Sequence, residues 1–183
     1  MTQNDLLSAG MRHFLDAQYA VNRFQAEIGE IAANVLRKNI DELAKSLKVQ
    51  SPHSDKISTA YWPNVPDLKY DGSTSWLGAQ AWFDSPISST FFVGLEFARD
   101  GQDKNNIKSA VGYATNKKKT YNLLKSSFMK SENTLYDSPE ELSVGFCQKI
   151  STTGDINKEL QDIFDKFTEY WRDQGGWTKV APG

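Results

Sequence analysis

A chain of 183 residues with 39 % hydrophobic and 24 % charged content is long enough to bury a sizeable core and too apolar to be wholly disordered. Its formal charge of −2 argues against a protein built entirely around polyanion binding. The single cysteine, Cys147, excludes an internal disulfide, and the two histidines, His13 and His53, stand too far apart for any zinc-ligand spacing. No apolar run approaches the roughly 20 residues that span a bilayer. The N-terminus MTQNDLLSAGMRHF lacks the basic and then apolar order of a signal peptide. A soluble, cytoplasmic protein with no membrane partner is expected.

Residues from Asn4 to Lys48 carry one helical pattern. Leu7, Met11, Phe14, Val21, Phe24, Ile28, Ile31 and Val35 step by helical intervals, and Leu36, Ile40, Leu43 and Leu47 continue the stripe one position over. An unbroken helix of about 45 residues would be about 67 Å long, whereas a compact domain of this size has a radius of gyration of roughly 16 Å. The helix is therefore expected either to break near Gly10 or Gly29, or to overhang the domain and pair with another chain. Residues 1–50 read as this helical segment and 51–183 as an α+β body, one domain in all.

Gln50 to Thr59 reads as a polar loop, and Tyr61 to Pro66, with its two prolines, as an extended or edge segment. Ser75 to Arg99 carries two alternating apolar runs and predicts a central β-hairpin with a loop at Asp84–Ser88. Phe91, Val93, Leu95 and Phe97 form its core face. Gly78 and Gly94 leave gaps on the other face, for Trp76, Trp82 or a helix to fill. Ile107 to Tyr113 predicts a third strand and Lys118 to Lys130 a helix with Tyr121, Leu124 and Phe128 inward. Asp137 to Glu140 reads as a turn or helix start, and Leu142 to Ile150 as the last strand. Asp155 caps a closing helix whose buried stripe is Ile156, Leu160, Ile163, Phe164, Phe167 and Trp171. The expected fold is α+β: an antiparallel sheet of about four strands with helices on one face, preceded by the long helix.

Catalytic patterns are scarce. No Gly-x-Ser-x-Gly elbow and no phosphate-binding glycine loop occurs, and Cys147 reads as a small buried side chain rather than a nucleophile. Asp84 and Glu96, near strand ends, are the one carboxylate pair with a precedent, that of divalent-metal nucleases. The lysine such sites place two residues after the second acid is replaced by Ala98. The chain is expected to be non-enzymatic, with no cofactor and no metal, and a divalent-metal-dependent nuclease using Asp84 and Glu96 stands as an alternative.

Charge layout offers more. Between Lys104 and Lys130 stand seven lysines and no acid, which leaves −9 on the rest of the chain once +7 is taken from −2. Lys104, Lys108, Lys117, Lys118, Lys119 and Lys125, interleaved with Tyr121, form the candidate partner-binding set, with Lys130 closing the run. The run contains no arginine, the residue that phosphate recognition favours. The closing strand–turn–helix, GFCQKISTTGDINKELQDIFDKFTEYW, is similar to the end of the DNA-recognition domain of McrB-type restriction proteins. The similarity spans under a fifth of the chain and implies nucleic-acid binding as an alternative. The expectation is a protein-binding inhibitor, immunity or accessory factor, with nucleic acid engaged through residues 104–130 as the alternative and homo-oligomerisation through the first helix.

Overall fold

The computed structural model describes residues 3–47, 50–52, 56–62, 74–84, 89–98, 107–151 and 153–173. The first element is a single helix, α1, over Gln3–Leu47. No proline interrupts it, and its polar flank carries close pairs such as Arg23 to Glu27 at 2.7 Å and Gln18 to Asn22 at 3.1 Å. The break anticipated at Gly29 does not occur. That glycine instead brings the helix against the sheet: a Cβ there would lie 3.0 Å from the Thr59 side chain. Gly10, by contrast, has nothing within 4 Å of where a Cβ would stand.

The strands are β1 (Ile57–Trp62), β2 (Thr74–Phe83), β3 (Ser89–Ala98), β4 (Ile107–Thr115), β5 (Leu135–Ser138) and β6 (Ser143–Lys149). Helix α2 covers Lys118–Phe128 and α3 covers Ile156–Asp173. All six strands join one antiparallel sheet in the order β1-β2-β3-β4-β6-β5. The sheet therefore has two more strands than the four expected. Both extra strands are edges: β1 starts inside a stretch that reads as polar, and β5 is only four residues long. The prolines at 63 and 66 that marked the edge segment lie outside the described residues. The β2–β3 hairpin pairs Phe83 with Ser89 and Thr74 with Ala98, which leaves 84–88 as its connection.

One face of the sheet packs on all three helices. Leu77, Phe91, Val93, Leu95, Val111, Val144 and Phe146 meet Ile28 to Ala44 of α1, Tyr121, Leu124 and Phe128 of α2, and the predicted stripe of α3. Rings crowd there, with Phe91 and Tyr113 at 5.1 Å and Phe128 stacked on Phe167 at 5.7 Å. The Asp155 carboxylate accepts from Lys158 N at 3.2 Å and caps α3 as expected.

The second face holds a smaller cluster, Trp76, Phe92, Ala110 and Cys147, with no helix residue in it. Here Gly78 pairs with Gly94, and the Trp76 ring fills the gap: its Cζ2 lies 2.8 Å from the Cβ either glycine would carry. Trp76 packs edge-on against Phe92 at 5.9 Å. Any larger residue at 78 or 94 would also strike backbone of the neighbouring strand, 2.3 to 2.5 Å away.

Candidate functional site

The fold distributes the lysine run over separate surfaces. Lys104 lies outside the described residues. Lys108 is on β4, on the helix-free face, in register with Glu96 of β3 and Lys149 of β6. Lys117, Lys118 and Lys119 are exposed together where α2 begins. That end has no side-chain cap and no acid in its first turn, so three ammonium groups add to the positive end of the helix. No ion pair to any of the three occurs among the described residues.

Tyr121 and Lys125 do different work. Tyr121 is buried, and its hydroxyl donates to Asp137 Oδ1 of β5. Lys125 Nζ donates to Asp137 Oδ2 at 2.5 Å and to the Tyr121 hydroxyl at 3.4 Å. Burial first, and the bond to Asp137 second, push the Tyr121 hydroxyl above its ordinary value; the bond to Asp137 holds Lys125 above its own. These two residues fasten α2 to the short edge strand β5. Lys130 is exposed beyond the helix end.

The carboxylates of the nuclease alternative are not brought together. Glu96 sits opposite Trp76, while Asp84 follows Phe83 at the loop end of the same hairpin. Eight residues of extended strand, about 26 Å, separate Asp84 from the level of Glu96. One metal cannot bridge them, and no group of three or more potential ligands occurs among the described residues. Asp84 instead faces Lys56 at 3.3 Å. Cys147 is buried, with Sγ 3.7 Å from the Leu135 carbonyl. Burial raises its thiol pKa; nearby Lys108 lowers it and Glu96 raises it, so the net effect keeps the sulfur protonated and unreactive.

A groove of about 550 Å³ opens beside the β2–β3 connection, lined by Trp82, Thr90, Asn116, Asp84, Glu140 and Glu141 among others. On its rim Leu142 adopts a left-handed backbone, φ 50°, and its carbonyl accepts from Thr115 N at 3.2 Å. That bond ties the β5–β6 turn to β4 and gives the strained conformation a structural cause.

The most exposed apolar surface is elsewhere. Along α1, burial begins at Ile28; every residue from Met11 to Phe24 is exposed. The stripe residues Leu7, Met11 and Phe14 are 64 %, 65 % and 66 % exposed, and Val21 and Phe24 follow at 49 % and 43 %. Leu15, off the strict repeat, widens the face at 57 %, while Tyr19, at 69 %, is exposed on the far side of the helix. At 100° per residue Leu15 stands about 40° from Met11, beside the stripe, whereas Tyr19 stands about 140° from Phe14. Residues 3–27 of α1 extend about 37 Å, and from Leu7 to Glu27 none is buried by the described residues of the body. No described helix is long and apolar enough to cross a membrane.

No protein-family model, curated protein or solved structure matches this chain, and the similarity of the closing segment to McrB-type domains finds no counterpart there.

Proposed function

We propose that this chain is a non-enzymatic binding protein that engages a protein partner through the apolar stripe of its N-terminal arm. One observation carries the reading: six large apolar side chains on one side of a projecting helix remain 43 % to 66 % exposed. Contiguous apolar patches of that kind mark interaction surfaces on soluble domains. Helices also draw most of their stability from packing an amphipathic face, and among the described residues this arm has no such packing. An inhibitor, immunity or accessory factor acting by occlusion fits this layout. The test is affinity capture from the native host with the wild-type chain and with a Leu7→Ser, Phe14→Ser, Val21→Ser variant. The variant is expected to lose the partner, and undiminished capture would overturn the reading.

Nucleic acid is the second reading, favoured by the exposed lysines 117–119 at the uncapped start of α2. Neutralising three phosphates predicts a slope of roughly −2 to −3 in log K against log salt. A gel shift with DNA and RNA at low salt that shows no retardation removes it.

A further inference from the structure

We propose that the occupant of the arm is a second copy of this chain, paired arm to arm in antiparallel fashion about a two-fold axis near Phe14 and Leu15. This rests on the reading of the arm as a docking surface and names the partner.

Charge is the first argument. With Leu7, Phe14 and Val21 at heptad position d, Met11 and Gln18 fall at a. The charged or titratable residues of the arm, Asp5, Arg12, His13, Asp16, Arg23 and Glu27, then all fall at b, c or f. Positions a, d, e and g carry no charge, so two copies meet without placing like charges opposite each other. Arg23 and Glu27 instead pair along the outer side of one helix.

Area is the second. At side-chain areas typical of these residues, the six exposed stripe residues amount to on the order of 650 Å² per chain, within the range for one side of a standard protein interface. Gly10 and Ala17, both at position g, leave room for close approach of a second helix.

The third argument sets the direction. Ile28, Ala32, Val35 and Leu36 continue the same helical face and are buried against the sheet. The body therefore sits on the side of α1 to which the arm's stripe points. A parallel partner pressed on that stripe would need its own body in the same volume. An antiparallel partner places each body beyond the other's N-terminus, and full overlap of the two arms puts the axis at the arm's midpoint.

Light scattering of the full chain from 1 to 500 µM tests the association. The expected result is a species of twice 20.6 kDa at the upper concentrations, with association weakened at least tenfold by Phe14→Lys and restored by Phe14→Leu. Because residue 14 is exposed and outside the core, the near-ultraviolet circular dichroism of the body serves as the folding control. Orientation is read with a short bis-maleimide. Phe14→Cys is expected to cross-link to itself, whereas Leu7→Cys is not, since an antiparallel pair holds its two copies about 24 Å apart along the helix axis. It is expected to cross-link to Val21→Cys in a mixture. A 20.6 kDa monomer at every concentration overturns the proposal, as does efficient Leu7→Cys self-linkage. A monomer that still captures a different protein in a Phe14-dependent way also overturns it, while leaving the arm's role as a docking surface intact.

Discussion

The two halves of α1 carry the same apolar rhythm on the same face and meet opposite surroundings. From Ile28 to Ala44 the stripe is buried on the sheet, with Ala32, Ala33 and Leu36 fully enclosed. From Leu7 to Phe24 it faces solvent. Nothing in the local pattern distinguishes the halves except bulk: the buried half uses alanines where the helix presses on β2, and the arm uses Met11, Phe14 and Phe24. Small residues suit a close helix–sheet contact, and large ones suit a surface that must gather area from a separate molecule.

The sharpest break of this comparison is truncation of one stripe residue in each half. Leu36→Ala is expected to destabilise the fold by about 2–5 kcal/mol, because a fully buried leucine leaves a cavity behind. Phe14→Ala, measured by denaturant unfolding at a dilution where the chain is monomeric, is expected to change stability by less than about 0.5 kcal/mol. Equal losses at both positions would mean that the arm packs on its own body.

The two helical glycines give a smaller contrast of the same kind. Gly10→Ala meets open space, so it is expected to stabilise the arm helix by about 0.5–1 kcal/mol, read as gained helicity in far-ultraviolet circular dichroism. At Gly29 the tight approach of Thr59 opposes that gain, and Gly29→Val, with more bulk at the contact, is expected to cost about 1–3 kcal/mol. A stabilised Gly29→Val variant would show that α1 is not held close to β1.

Much of this fold is legible in the chain. The alternation through Phe91, Val93, Leu95 and Phe97 places the core face of the hairpin, and the helical stripe from Leu160 to Trp171 places α3. The edges are harder. Leu135–Ser138 is four residues ending before a proline, and it becomes a strand only because β6 offers it a ladder. Antiparallel pairing also decides what sequence proximity obscures: Asp84 and Glu96 both stand near strand ends, yet a hairpin folds the end of its second strand back to the start of its first. The Gly29 contact was invisible for a related reason, since a glycine that breaks a helix and one that admits a neighbour look alike until the neighbour is known. The lysine run likewise appears continuous in the chain, while a strand face, a helix start and a helix flank divide it.

That division supplies the finest contrast, between a tied lysine and one with no ion pair among the described residues, about two helical turns apart. Lys125 keeps about a third of its side chain in water while holding Asp137, so Lys125→Met is expected to cost no more than about 1 kcal/mol; exposed Lys118→Met is expected to stay within about 0.5 kcal/mol. The pH dependence separates the cases further. The fold raises the Lys125 pKa above its ordinary 10.5, so the protonated form is the one the native state favours. Its contribution is therefore full below pH 10.5 and is lost as pH rises through the higher folded value. The stability gap between wild type and Lys125→Met should thus be flat from neutral pH to the lysine's ordinary range and close above it. Tyr121, also raised above its ordinary 10.0, weakens the fold over the same alkaline window, but it does so in both proteins and largely cancels from the difference. A gap that stayed open as pH rose through the alkaline range would remove the ammonium group as the tie between α2 and β5.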